Sequence, residues 1–244
     1  LDFRVDTLYA GYTRCNGTAT SSSCSAAVPQ WTGAMWRLPT NSGNTDPDTW
    51  GIAAGTSPCP AGSLRCPTKL LSALASTPCT AAVASFTGGA TACNVGPVTS
   101  APALTSDDTS NLWILFGTGR FFSSADKSNV DIQHYYGVKD SFLTAATPAQ
   151  TTERNDLFNS SDLILCADCG ADANVSSTGD PTSFTTSFET GPSSLIAQVL
   201  NVDGWFTTFS NPPAALTPGE RNLNPGTLVG GTLFFTTFTP VNDI

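Results

Sequence analysis

Residues 111–140 read NLWILFGTGRFFSSADKSNVDIQHYYGVKD, and the fold turns on how they are read. LWILF and HYYGV are runs of aromatic and β-branched residues bounded by Gly, Asn, Asp and Ser, the signature of short strands. FGTGR (116–120) invites a phosphate-loop reading. That loop needs G-x-G-x-x-G ahead of a helix, whereas Phe121 and Phe122 follow here and suit a strand. The expectation is a glycine turn or bulge between two strands. His134 is the one histidine of the chain. A catalytic triad needs a nucleophile, a base and an orienting group, and neither G-x-S-x-G nor H-E-x-x-H occurs. His134 therefore reads as a structural residue at a strand start beside Tyr135 and Tyr136, with pH sensing as its alternative. The insert ADKSNVDIQ (125–133) carries four oxygen donors, Asp126, Ser128, Asn129 and Asp131. It lacks the glycine and distal acid of an EF-type loop. A solvated turn with Asx caps is expected, calcium being the lesser alternative.

Outward from this stretch the chain has one composition. Charged residues make up 12 % of 244, and the net charge is −9. No basic patch that could neutralise phosphate is visible, so nucleic-acid and anionic-membrane partners are disfavoured. No apolar run of membrane-spanning length occurs. Divalent cations and neutral ligands such as glycans stay open. The opening LDFRVDTLYAGY reads as folded structure rather than a secretion leader. A mature product, or a piece of something longer, is therefore expected. Helix-period segments are few: TKLLSALAS (68–76) and SSLIAQVLN (193–201). The remainder reads as short strands, so an all-β protein is expected.

Eight cysteines fall as four local pairs in Gly/Ser/Thr/Pro-rich stretches. An even count in loops of a low-charge chain reads as disulfides of an oxidising compartment. The expected pairs are Cys15–Cys24, Cys59–Cys66, Cys79–Cys93 and Cys166–Cys169, one of many connectivities that eight cysteines allow. Loops this short lose little chain entropy on closure, so each bridge would pin a surface loop. CADC (166–169) has no following His for haem attachment and no nearby partners for zinc; a structural disulfide is the expectation over a redox pair. Asn16, Asn159 and Asn174 begin glycosylation-type sequons, which this much Ser and Thr produces by chance. The glutamates Glu153, Glu189 and Glu220 are scattered, and nothing in the sequence converges two of them for glycoside chemistry.

An internal repeat organises the chain. DTLYAGYT (6–13) leads through a cysteine loop to GAMWRLPT (33–40). SNLWILFGTG (110–119) leads through the aspartate insert to HYYGVKD (134–140). Both show Leu-aromatic-x-x-aromatic, then about 20 residues, then an aromatic strand expected to be an outer one. DGWFTTF (203–209) followed by GTLVGGTLFFTTFTP (226–240) suggests a third unit. Repeated antiparallel modules punctuated by Gly and aromatics suggest propeller blades.

These stretches, in order, resemble the PilY1-type proteins, the large tip-associated proteins of bacterial type IV pili. Residues 111–140 resemble the family's FGTG segment. VDTLYAGYTR…WTGAMWRLPT resembles its D-x-L-Y…G-x-x-W-R blade, and GPVTSAPAL (96–104) the strand before FGTG. DGWFTTF and PGERNLNPGTLVGGTLFFTTFTP resemble its closing Gly-Trp and GER…FFTT elements. The matches run from about residue 2 to 240. The resemblance implies the carboxy-terminal part of a modified quinoprotein-like β-propeller, with antiparallel blades and long disulfide-pinned loops. It implies one domain over residues 1–244, expected to be truncated at both ends. It further implies calcium as cofactor, an extracellular place at the pilus tip reached through the periplasm, and roles in adhesion, pilus assembly and retraction. Minor pilins or other tip subunits, a host or surface ligand, and the remainder of its own propeller are the implied partners.

In the family, D-x-L-Y follows a calcium loop. Asp2 stands at the loop's fifth position and Asp6 at its ninth, Arg4 at the carbonyl-donating position, and Phe3 replaces a glycine. The first two acidic ligands have no counterpart, so Asp2 and Asp6 are the expected remnant of a metal site. Three functions follow as expectations: a non-catalytic binding module of a pilus tip, a structural subunit of an extracellular filament, and an enzyme of quinoprotein-like or glycan-acting type. The first is preferred, because no catalytic constellation is legible.

Overall fold

The computed structural model describes residues 6–15, 31–41, 43–53, 55, 59–62, 65–72, 95–129, 131–140, 151–168, 173–178, 180, 182–209 and 219–240. The described residues are mostly sheet. The strands are β1 (Thr7–Cys15), β2 (Trp31–Pro39), β3 (Ile52–Ala53), β4 (Arg65–Cys66), β5 (Thr68–Ser72), β6 (Ala103–Ser106), β7 (Leu112–Gly117) and β8 (His134–Asp140). They continue with β9 (Thr152–Glu153), β10 (Phe158–Asn159), β11 (Ile164–Leu165), β12 (Val175–Ser176), β13 (Gly204–Thr208), β14 (Thr227–Val229) and β15 (Thr232–Phe234). Among the described residues one short α-helix, α1 (Leu195–Leu200), is capped by Ser194, whose hydroxyl accepts from the Ala197 N–H. The protein is all-β, as expected, and none of its described helices is long and apolar enough to cross a membrane.

Two sheets dominate. The first has the order β1-β2-β5-β9 and the second β10-β13-β8-β7-β6. Their pairings match strand for strand. β1/β2 and β2/β5 are antiparallel and β5/β9 is parallel. Likewise β7/β8 and β8/β13 are antiparallel and β13/β10 is parallel. The repeat seen in the sequence is thus a repeat of topology, with β1 matching β7 and β2 matching β8. Residues 152–159 serve both sheets: β9 closes the first, a 3-10 turn at Arg154–Asp156 follows, and β10 closes the second. A closed propeller is not formed by these strands.

Several expectations are corrected here. TKLLSALAS opens as strand β5, not helix. Thr68, Leu70 and Leu71 are buried, and pairing with β2 overrides the helix propensity of the leucines. GAMWRLPT and HYYGVKD are interior strands, each hydrogen-bonded on both sides, rather than outer ones. DGWFTTF does not open a third unit; it is β13, the strand beside β8. The rest of that proposed unit is the β14/β15 hairpin. No strand follows FGTGR: Phe121 is irregular, and a 3-10 helix begins at Ser124.

Side-chain alternation explains the layering. Ile114 and Phe116 on β7, Tyr136 and Val138 on β8, and Phe206 on β13 face the first sheet. There they meet Met35, Leu70 and Leu71, with Leu157 from the 152–159 segment. The alternate residues Leu115, Tyr135 and Trp205 face the hairpin and meet Leu228, Leu233 and Phe235. Tyr135 stacks on Phe235 at 4.1 Å. The second sheet is therefore a middle layer covered on both faces, which is why its strands read as continuous apolar runs.

Candidate functional site

Charged side chains are scarce, yet three of the ten basic residues, Arg37, Arg154 and Arg221, are buried. Buried charges need partners, so these arginines mark where the sequence commits polar chemistry to the interior.

The richest cluster lies around the FGTGR turn and the aspartate insert. Gly119 has φ 149°, and a Cβ there would meet the side chain of Arg221 and the backbone of Asn222. The glycine lets the turn approach the GER segment. Asp126 is fully buried and ion-paired to Arg120. Its other oxygen accepts from the N–H groups of Phe122 and Ser123, both at 2.9 Å. Burial alone would raise its pKa, but these two N–H donors and the Arg120 guanidinium outweigh it and hold the carboxyl below its usual range. The Arg120 guanidinium lies 3.8 Å over the Trp31 ring, joining the insert to β2.

Arg221 completes the cluster through backbone alone. Its Nε donates to Gly219 O, Nη1 to Arg120 O and Asp126 O, and Nη2 to Asn129 O. Asn222 N–H donates to Thr118 O, and its Nδ2 to Thr236 O. The GER motif is thus a clamp that holds the insert and the carboxy-terminal segment to the end of β7.

The insert is the solvated turn expected at Ala125, Lys127 and Ser128, which are exposed, and its Asx feature is present, the Asp131 N–H donating to Asn129 Oδ1 at 2.8 Å. Asp126 and Gln133 depart from that reading by being buried. The lesser calcium reading fails at Asp126. Both Asp126 oxygens are engaged, and the Ser128 hydroxyl donates to Ala125 O. Burial raises the pKa of Asp131 against the opposing Asn129 and Arg221.

His134 is buried at the start of β8, 5.7 Å from the Tyr136 and Phe206 rings. Burial, with Arg154 nearby, drives its pKa well below the normal histidine value. It stays neutral near pH 7. Its N–H and O groups both bond Thr118, so its backbone pins the turn.

A second cluster joins the two large sheets. Arg37 on β2 pairs with Asp140 at the end of β8, and the Tyr9 hydroxyl on β1 donates to the same carboxylate. Arg37 Nε reaches Thr68 Oγ1 on β5 at 3.1 Å. Burial first, and then Asp140, raise the Tyr9 pKa, so the phenol stays protonated. A third polar knot lies in the β6–β7 turn. Asp107 accepts from Thr109, Asn111 and the Trp113 indole. Lys139 sits 5.2 Å over the Trp113 ring and donates to Val199 O, Leu200 O and Val202 O, at the end of α1.

Of the predicted site residues, Asp6 is exposed, and its backbone oxygen accepts from Thr40 N–H. Asp2 lies outside the described residues. Two carboxylates fall short of the six to eight oxygens calcium takes, and no group of three acidic, His or Cys residues converges among the described residues. The described residues do not fit a calcium centre. The Cys59–Cys66 disulfide is present as expected. Cys166 is disulfide-bonded to a residue outside the described set, where Cys169 lies. Cys24, Cys79 and Cys93 also lie outside it, as does the side chain of Cys15.

A cleft of about 240 Å³ opens between β10, β12 and α1, lined by Phe158, Asp162, Val175, Thr186, Leu195 and Gln198 among others. It is smaller than pockets that take drug-sized ligands, about 300 Å³ and up. Reading the sequence missed Arg37, Asp140 and Arg221. Their signal was a charge embedded in, or ending, an apolar strand motif, as in MWRLP, YGVKD and PGER.

No protein-family model matches the sequence. No curated protein matches it either. Among solved structures, the chain is similar to the crystal structure of the Pseudomonas aeruginosa PilY1 C-terminal domain, at 18 % identity and a TM-score of 0.47, over 86 % of this chain and 41 % of that one. It spans about two-fifths of that chain's length.

Proposed function

We infer that this chain is a non-catalytic cell-surface module of a type IV pilus tip protein, acting in adhesion and in pilus assembly and retraction. One observation carries the reading: five motif stretches resemble the PilY1-type pattern in order along the chain. The positions of those motifs support it. D-x-L-Y begins β1, W-R lies in β2, FGTG ends β7, Gly-Trp opens β13, and the GER arginine is the clamp on the insert. Motif residues that do structural work in one connected fold belong to a shared scaffold rather than to chance composition. On this reading the two large sheets are blades of a modified β-propeller. Its partners are minor pilins or other tip subunits, a surface ligand, and the rest of the propeller, and it works outside the cell.

The test is genetic. In the bacterium that encodes the protein, its deletion is expected to reduce surface pili and attachment together, with restoration by the intact gene. Unchanged pilus number and attachment would refute the assignment.

A further inference from the structure

The cleft of about 240 Å³ between β10, β12 and α1 lies apart from the polar clusters around Arg37, Asp107 and Arg221. Each of its walls is pinned by hydrogen bonds. Ser160 N–H and Oγ both donate to Phe206 O, and Ser161 Oγ accepts from Thr208 N–H, which holds the β10 wall to β13. Val175 N–H donates to Thr186 O and Leu195 N–H to Ser187 O, so β12 and α1 are tied to the same short segment. The cleft is therefore preformed, as small-molecule sites usually are. Val175 and Leu195, both buried, and the half-buried Phe158 give it an apolar side. Asn159, Asp162, Ser177 and Gln198 are exposed and give it a polar rim. Asn159 Oδ1 accepts from Ser161, and Gln198 Nε2 donates to Ser193 O. Asn159 thus offers a ligand its amide donor, and Gln198 its amide acceptor.

The lining selects a ligand class by elimination. No Lys, Arg or His lines the cleft, so an anion finds no counter-charge there. Asp162 is its one carboxylate, far short of the oxygens that calcium takes. A wholly apolar ligand would strip water from the amide and hydroxyl groups and leave them unpaired. A neutral ring with a C–H face and several hydroxyls satisfies both sides at once. We propose that the cleft binds a single neutral sugar ring, its C–H face against Phe158, Val175 and Leu195 and its hydroxyls on Asn159, Ser177 and Gln198. The volume is that of about eight waters at about 30 Å³ each, which suits one ring rather than an oligosaccharide. The proposal rests on the lining of the cleft and not on the pilus reading, so either can fail without the other.

The test is an NMR titration of the isotope-labelled 244-residue chain with the methyl pyranosides of glucose, galactose, mannose and N-acetylglucosamine. At least one is expected to shift the amide resonances of Phe158, Asn159, Ser177 and Gln198 with a saturable, millimolar Kd, and to leave β1 and β2 unshifted. Gln198→Met and Ser177→Ala, both at exposed positions, should each weaken that binding about fivefold, the loss of about one hydrogen bond, with the thermal unfolding midpoint unchanged. Four results would overturn the proposal. They are no shift at the cleft with any of the four sugars, shifts that never saturate, full affinity in both variants, and equal shifts from cyclohexanol. The last would make the cleft an apolar site that does not read hydroxyls.

Discussion

The two large sheets share a pairing plan and differ in their surroundings. The second is covered on both faces, by the first sheet and by the β14/β15 hairpin, and β6 pairs with β7 at one of its edges. The first packs through Met35, Leu70 and Leu71, while β1 shows exposed residues along most of its length. One repeat thus yields a buried layer and an outer layer. The difference lies in added segments: β6, the hairpin and the Arg221 clamp all serve the second sheet. A repeat unit is stabilised by its neighbours as much as by its own strands, so the two sheets should respond differently to damage.

The largest effect is expected where they meet. Arg37→Met leaves Asp140 buried without its cation and should cost about 3–5 kcal/mol in urea unfolding. The paired change of Arg37 to Met and Asp140 to Leu should cost much less, because no lone charge is left behind. Equal costs for the single and paired changes would mean that the ion pair does not couple the sheets. Next, Arg221→Met removes four hydrogen bonds to backbone carbonyls and should cost about 3 kcal/mol. Exchange protection should fall around 118–129 and not in β1 or β2. Loss in both sheets would break the claim that the clamp serves only one.

A pH series sharpens the same contrast. Folded His134 is held neutral by burial and by Arg154, whereas in the unfolded chain it protonates near its ordinary value of about 6.5. Its folded pKa is lowered, so its contribution is complete above about pH 6.5 and is lost as pH falls below it. The slope should steepen below pH 6.5 toward a limit of about 1.4 kcal/mol per pH unit. His134→Phe should flatten this slope, and an unchanged slope would assign it elsewhere. The smallest effect is at α1. Ser194→Ala removes its cap and should cost about 1 kcal/mol by thermal unfolding. No measurable change would show that the serine cap does not stabilise α1.

Much of this contrast was legible before the structure. The Leu-aromatic-x-x-aromatic spacing located β1 and β7, and SSLIAQVLN located α1. What escaped has a common physical cause. Leu70 and Leu71 in TKLLSALAS satisfy a helix or a strand equally, and only pairing with β2 decides between them. DGWFTTF looked like the start of a unit because its neighbour β8 is more than sixty residues away in sequence. The aspartate insert looked solvated because acidic loops usually are. It is solvated except at Asp126 and Gln133, and the burial of Asp126 depends on Arg120 and on Arg221, the latter 95 residues away. Long-range polar contacts leave no periodic trace in a sequence, so the cluster most tightly bound to the motifs was the least readable.

The functional assignment is tested most directly by locating the native protein on the cell. Gold-labelled antibody against the folded chain should mark the tips of pili, with few particles per filament. Labelling spread along filament shafts, or absent from filaments altogether, would contradict the account.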